Sequence, residues 1–118
     1  MPKSENLTNY LIAETDNAAV GIINYGVSRD NEIDKSGEIR AIYVLPQFWH
    51  KGFGTELFLA AKSALKKLNY TSVYLWVLAE NASAIKFYEK MQMHPLNVKR
   101  NINVGGTDLV EIKFESDL

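Results

Sequence analysis

The stretch from Glu38 to Thr55 reads EIRAIYVLPQFWHKGFGT, and the interpretation of the whole chain starts there. An apolar run with strand character stops at Pro46, which cannot donate to a sheet ladder, and Gly52 and Gly54 follow just before an amphipathic helix. Glycines allow close backbone approach, and the first free N–H groups of a helix attract an anion. The order strand, glycine loop, helix therefore predicts a phosphate-binding loop.

The composition of the 118-residue chain is that of a folded protein, with 47% hydrophobic and 23% charged residues, and we predict a single domain over residues 1–118. The 13 basic and 14 acidic residues nearly cancel, so we expect no nucleic-acid partner. The absence of cysteine excludes disulfides, thiolate metal sites and a cysteine nucleophile. With no signal peptide and no long apolar span in the sequence, we expect a cytoplasmic protein without a membrane partner.

Hydrophobic patterning predicts the order β-β-β-α-β-α-β-β, a mixed sheet with helices in the α+β to α/β range. We predict frayed residues at 1–6, strands at 10–13, 19–27, 38–45, 71–78, 98–104 and 109–114, and helices at about 54–68 and 82–91. Turns are expected at Asp16-Asn17 and Gly105-Gly106, and a loop at 29–37. The strand–helix–strand unit over residues 38–78 predicts a right-handed crossover between parallel strands.

Each predicted helix has one apolar face. Helical spacing in the first places five residues on a buried side and leaves the lysines in solvent, the five being Leu57, Ala61, Ala64, Leu65 and Leu68. In the second helix we expect the buried side to hold Ile85, Met91 and either Phe87 or Tyr88. Asn69 is expected at the end of the first helix and Asn81 at the start of the second, where asparagine caps well.

The run VLPQFWHKGFG, residues 44–54, resembles the acyl-coenzyme A loop of the GNAT N-acetyltransferase superfamily, which follows V-x-P and then Q/R-x-x-G-x-G/A. A second similarity runs from Leu75 to Lys90, where L-x-V precedes N-x-x-A-x-x-F-Y-E-K. The two signatures occur in the family's order, and the resemblance covers Tyr10 to about Leu118. It implies the acyl-CoA N-acyltransferase fold, N-terminally shortened because the family's first strand and the two helices after it have no counterpart.

Two local departures from the family pattern bear on the site. Trp49 stands where the family usually has Gln or Arg, which puts one polar contact to the pyrophosphate in question. Gln92-Met93 stands where the family usually has Gly-Phe, so a non-glycine residue would take the left-handed position after the second helix, at a cost of roughly 1 kcal/mol.

The resemblance implies acetyl-CoA as the acyl donor, no metal, and direct attack by a primary amine on the thioester. Backbone N–H groups would hold the pyrophosphate, with the Thr55 hydroxyl and the Lys51 charge as additions, over the residues Trp49, His50, Lys51, Gly52, Phe53, Gly54 and Thr55. The backbone of Ile42, Tyr43 and Val44 would bond the pantetheine amides. On the second helix the implied cofactor contacts are Asn81, Ala84 and Tyr88. A tight turn before a helix is the alternative for the glycines.

Two residues carry the implied catalysis. Tyr88 would be the general acid that protonates the departing thiolate, with a buried packing tyrosine as the alternative. Glu38 would be the general base, acting through a water, with an exposed residue at a strand start as the alternative. Glu32 and Glu14 are weaker candidates for the base. The two histidines are far apart in sequence and predict no metal site.

Three functions remain open at this point. The first is an N-acetyltransferase that moves an acetyl group to a small-molecule or peptide amine in a ternary complex. The second is a truncated, non-catalytic module that binds acyl-CoA or a protein partner. The third is a nucleotide-binding α/β protein, which is disfavoured because the loop lacks the Lys-Ser/Thr pair of a P-loop. An uncovered sheet edge and apolar face would also predict a homodimer.

Overall fold

The computed structural model describes residues 8–28 and 35–118, and its elements follow the predicted order. The strands are β1 Thr8–Thr15, β2 Ala18–Val27, β3 Ser36–Val44, β4 Ser72–Leu78, β5 His94–Val104 and β6 Thr107–Asp117. The helices are α1 Phe53–Lys67 and α2 Ala82–Lys90, and a short 3-10 turn covers Pro46–Phe48. The mixed α+β class, with six strands in one sheet and two helices, is confirmed.

Two predicted boundaries were wrong. We expected His94-Pro95 to separate the second helix from a strand at 98, but β5 already begins at His94. Among the strands that the structure describes, β5 pairs only with β6, so Pro95 is tolerated because its missing N–H is lost from an edge strand. The expected 29–37 loop is also too long, since Ser36 and Gly37 belong to β3. The rest of that loop (29–34, with Glu32) and the expected frayed segment 1–6 lie outside the described residues.

The contacts divide the chain into two compact units, residues up to Val73 together with Leu118, and Tyr74–Asp117. The prediction of one domain stays a prediction. In the first unit β1, β2 and β3 form an antiparallel meander, and Asp16 and Asn17 make its first turn with φ of 51° and 66°. The N–H of Thr71 lies 2.8 Å from the Lys35 carbonyl, so β3 and β4 begin side by side, as parallel strands do.

Helix α1 packs on one face of this meander. A Cβ on Gly37 would lie 2.6 Å from Leu65 Cδ2, so only glycine permits this approach of strand and helix. Leu57, Ala61 and Leu65 are buried as predicted, and Phe58 is buried as well. The prediction for Leu68 was wrong, because it follows the last helical residue and is 55% exposed.

The opposite face of the meander shows apolar side chains to solvent. Tyr10 and Ile12 on β1 are 60% and 56% exposed, and Tyr43 on β3 is 55% exposed. Ile12 and Tyr43 both pair with Ile22, so these side chains share one face. Within the described residues β1 is also an edge strand of the sheet. The homodimer stays a prediction that this surface motivates.

The second unit contains the remainder of β4, α2 and the hairpin β5–β6. The hairpin turns at Gly105 and Gly106, with φ of 58° and 88°, which confirms the predicted turn. The aromatic side chain of Trp76 on β4 lies beneath a cation, since the Arg100 guanidinium is 4.1 Å from its ring centroid. Arg100 Nε also donates to Glu111 at 2.8 Å, so this part of the sheet is fastened by polar as well as apolar contacts.

Both helices end in the same hydrogen-bonded motif. After α2 the Gln92 N–H donates to the Glu89 carbonyl and the Met93 N–H to the Tyr88 carbonyl, each at 3.0 Å. This is the Schellman arrangement, and it requires a left-handed residue, here Gln92 with φ 71°. Asn69 takes the same position after α1 with φ 72°. The left-handed geometry predicted for Gln92 is therefore present without a glycine.

Gln92→Gly should raise the free energy of unfolding by about 1 kcal/mol, because glycine adopts this φ without a Cβ clash. Thermal unfolding should show a midpoint higher by a few degrees, and urea unfolding should show a midpoint at a higher urea concentration. Asn69→Gly is the matched control, and its gain should be smaller because asparagine tolerates the left-handed region better than glutamine. A lower midpoint for Gln92→Gly would contradict the motif.

Candidate functional site

The loop between β3 and α1 is built from tight local turns. Pro46 opens the 3-10 turn, and the Phe48 N–H donates to the Leu45 carbonyl at 2.8 Å. His50 then takes φ 63° and Gly52 takes φ 91°, so the backbone turns back twice in three residues. Two left-handed residues this close together turn the chain sharply from the end of the strand into the start of the helix.

The start of α1 has unused donors. Gly52 is the N-cap and no side chain caps the helix, while the first intrahelical bond runs from the Glu56 N–H to the Gly52 carbonyl at 3.0 Å. The N–H groups of Phe53, Gly54 and Thr55 precede that bond, so the helix offers them no acceptor. A Cβ placed on Gly52 would meet nothing within 4 Å. The helix start is thus open to an anion.

Charge around this opening is mixed. Lys51 and His50 precede the helix and are exposed, so both side chains can reach an approaching anion. Glu56 in the first turn is also exposed. Its negative charge interacts favourably with the helix dipole, but it would repel a phosphate placed beside it. The attraction at this site therefore rests chiefly on backbone N–H groups.

Both N–H groups of Trp49 donate to nearby backbone carbonyls, which the sequence did not indicate. Its backbone N–H donates to the Pro46 carbonyl at 3.1 Å, and its indole Nε1–H donates to the Val44 carbonyl at 2.6 Å. The prediction that the Trp49 amide bonds a pyrophosphate was therefore wrong, because that donor already has an acceptor inside the loop.

The polar backbone groups of the three β3 residues predicted to bond pantetheine do not all point the same way. The Leu45 N–H bonds the Val20 carbonyl of β2 at 2.9 Å. Polar backbone groups alternate along a strand, so those of Tyr43 also point to β2, whereas those of Ile42 and Val44 point away from it. Tyr43 therefore leaves the proposed backbone set. A bulge at Arg40, between the pairs Tyr25–Ile39 and Asn24–Ala41, precedes this segment and interrupts the ladder.

Glu38 lies near the start of β3, and its alternative interpretation as an exposed residue was wrong. Its residue exposure is 1%, and its carboxylate lies 4.0 Å from Arg40 Nε. It pairs across the ladder with Gly26, which has no side chain to fill the space beside the carboxylate. Arg40 Nη2 donates to the Val27 carbonyl at 2.8 Å, which holds the cation in place. Glu38 is therefore a buried carboxylate held beside a cation whose position is fixed.

Helix α2 positions the second set of predicted residues. Asn81 is its N-cap as expected, with Oδ1 accepting the Ala84 N–H at 3.1 Å. Tyr88 is buried and its ring meets Phe87 edge-on, with centroids 5.5 Å apart. Burial raises the pKa of Tyr88 to about 12, because the phenolate would lose its hydration. The phenol therefore keeps its proton at neutral pH.

The structure assembles part of the predicted site within the first unit: the backbone of Ile42 and Val44 and the loop leading to Thr55. Asn81, Ala84 and Tyr88 lie together on α2 in the second unit. Glu14 is exposed on β1. No group of three or more metal-ligating side chains occurs among the residues described. The described ranges also contain no helix that is long and apolar enough to cross a membrane.

Sequence reasoning missed a shallow cavity of about 180 Å³ in the second unit. It lies where β4 ends and β6 begins, and is lined by Leu78, Ala79, Glu80, Asp108, Leu109 and Val110. The Ala79 N–H donates to the Val110 carbonyl at 2.9 Å, which joins the two segments. These residues are far apart in sequence, so no local pattern could have indicated the cavity.

Comparison with known proteins assigns the family. The chain belongs to the acetyltransferase (GNAT) family, whose model matches residues 3–93. An N-alpha-acetyltransferase of Sulfurisphaera tokodaii is 33% identical over 107 residues, which cover 84% of this chain and 64% of the relative. A spermidine N(1)-acetyltransferase of Thermoplasma acidophilum is 28% identical over 108 residues, covering 91% and 60%. The chain thus spans less than two thirds of either relative.

Solved structures confirm the predicted fold. A Bacillus subtilis acetyltransferase in complex with CoA superposes with a TM-score of 0.77 at 19% identity, covering 94% of this chain and 77% of that chain. The resemblance inferred from the two sequence signatures is therefore confirmed at the level of family and fold.

The raised pKa of Tyr88 predicts a loss of stability at high pH. Between pH 10 and about 12 the unfolded tyrosine releases its proton while the folded one keeps it, so the free energy of unfolding falls across this window by on the order of 2–3 kcal/mol. Below pH 10 this contribution is fully present. Urea unfolding of the wild type and Tyr88→Phe should show a steeper decline for the wild type, and equal slopes would contradict the burial of the phenol.

Proposed function

We propose that this chain transfers an acetyl group from acetyl-CoA to a primary amine by direct attack within a ternary complex. The uncapped start of α1, reached through the left-handed Gly52 and open beside it, carries the proposal. Its N–H groups at Phe53, Gly54 and Thr55 suit the oxygens of a pyrophosphate, which is the charged centre of coenzyme A. The relatives named above are acetyltransferases, and family membership supports the same donor here.

The pantetheine arm would lie along the side of β3 that faces away from β2. The polar backbone groups of Ile42 and Val44 point away from β2, so they are available to the two amides of an extended arm. The bulge at Arg40 interrupts regular pairing just before this segment. Backbone recognition of this kind depends little on side-chain identity and fixes the direction of the arm.

Tyr88 would act on the departing sulfur. A thiol has a pKa near ~8.5, so full proton transfer from a phenol of pKa about 12 to a free thiolate is uphill by roughly 5 kcal/mol. We therefore assign Tyr88 a hydrogen bond from its O–H to the sulfur as negative charge develops there; the phenol keeps its proton, and the thiolate takes a proton from water after the carbon–sulfur bond breaks. The proton that the sulfur gains balances the one that the attacking nitrogen releases.

Glu38 would accept the proton of the amine, through a water. An alkylammonium group with a pKa near ~10.4 is mostly protonated at neutral pH, so the acceptor must lose a proton before it attacks the thioester. The buried carboxylate beside Arg40 supplies a fixed acceptor for that proton. The acceptor class is a primary amine, as the names of the N-alpha-acetyltransferase and the spermidine N(1)-acetyltransferase suggest.

A thiol-release assay tests this function directly. With acetyl-CoA and a panel of N-terminal peptides, polyamines and lysine, we expect amine-dependent release of coenzyme A and a product heavier by one acetyl group. Tyr88→Phe should lower kcat by about 10–100-fold at unchanged affinity for acetyl-CoA. Binding of acetyl-CoA without release for any amine would contradict turnover and favour the non-catalytic module.

Gly52→Glu should abolish measurable coenzyme A binding in calorimetry, because it places a negative side chain in the open space where the phosphates would sit. Gly105→Glu is the matched control, since Gly105 is also left-handed, with open space around it, but belongs to the β5–β6 turn. The control should bind as the wild type does. Equal affinity of the wild type and Gly52→Glu would place the cofactor elsewhere.

A further inference from the structure

Two side-chain contacts hold the 45–52 loop, and neither uses the backbone N–H groups that are proposed to bind phosphate. The first is the bond of 2.6 Å from Trp49 Nε1 to the Val44 carbonyl, which joins the loop to the last residue of β3. The second is the edge-to-face contact of Phe48 with Phe53, whose ring centroids are 5.8 Å apart at 82°. Residues 50–52, which contain the two left-handed positions, lie between these fastenings.

Trp49 has no role in a hydrophobic core. The residue is 55% exposed, yet its indole N–H makes a short bond to a backbone carbonyl and its own amide bonds Pro46. Because both N–H groups are engaged inside the loop, neither serves as a phosphate donor. The side chain instead determines where the following turns, and hence the start of α1, lie relative to β3.

We infer that Trp49 is a positioning residue that holds the 45–52 loop against the end of β3, so that the N–H groups at the start of α1 converge before the cofactor arrives; this inference rests on the proposed coenzyme A site. An anion bound by several backbone donors needs them in one arrangement. Without the indole bond the loop must be ordered by the ligand, and affinity falls.

The Val44 carbonyl oxygen is where the indole and the cofactor would either share an acceptor or compete for it. It points away from β2, to the side of β3 proposed for the pantetheine arm, and a carbonyl oxygen can accept two hydrogen bonds. The indole and the cofactor can therefore share this oxygen. If they competed for it, the indole would act as a barrier that the cofactor must displace, and its removal would tighten binding.

Trp49→Phe separates these cases, since it keeps an aromatic ring and removes the indole N–H donor. We expect coenzyme A and ADP, which both carry a pyrophosphate, to bind about 3–10-fold more weakly, as the loss of one hydrogen bond implies. Trp76→Phe is the matched control, because that ring lies on β4 and contacts Arg100 and Lys113, and the affinity of this variant should equal that of the wild type. Unchanged or tighter binding by Trp49→Phe would overturn the inference.

NMR of the indole N–H provides a second test in which Trp49 itself is unchanged. The Trp76→Phe protein leaves one indole N–H signal in its NMR spectrum, which belongs to Trp49 and should exchange slowly with solvent both before and after saturation with coenzyme A. An indole that becomes free on binding would show competition and overturn the inference. Absence of coenzyme A binding by the wild type would overturn the proposed function as well, whereas normal wild-type binding with an unaffected Trp49→Phe would overturn this inference alone.

Discussion

The structure around the candidate site depends on one constraint, the need of the first N–H groups of α1 for an acceptor. A helix start normally satisfies these donors with a serine, threonine, aspartate or asparagine cap, as Asn81 does for α2. At α1 the cap position holds Gly52, which has no side chain and leaves open space. The start of α2 is thus capped by a side chain and the start of α1 is not, and this contrast supports the proposed anion-binding role of α1.

Two other features of the first unit bear on the candidate site. Close packing at Gly37 brings α1 onto the meander, and Leu65 fills the space that a larger residue would occupy. The bulge at Arg40 interrupts the pairing of β3 with β2 before the segment that is proposed to bond the pantetheine arm. Family membership and fold agree with this arrangement, and the proposed chemistry adds only a proton acceptor and a donor to a reactive cofactor.

Local chemistry made much of this predictable from sequence. Asp16-Asn17 and Gly105-Gly106 turn the chain because they tolerate positive φ, and the apolar spacing of α1 identified most of its buried face. The failures arose where tertiary context or side-chain reach decides. Leu68 continues the helical spacing but follows the last helical residue, Glu38 is buried although it lies near the start of a strand, and the indole bond of Trp49 has no local pattern that would indicate it. The cavity between β4 and β6 was missed for the same reason.

The central claim is that coenzyme A binds through the backbone at the start of α1. An amide NMR titration of the wild-type protein with coenzyme A tests it most directly, because each backbone N–H reports its own contact. We expect saturable shifts that are largest at Gly52, Phe53, Gly54 and Thr55, with the signals of the Gly105-Gly106 turn unmoved. Saturable shifts centred elsewhere, or none at millimolar ligand, would contradict it.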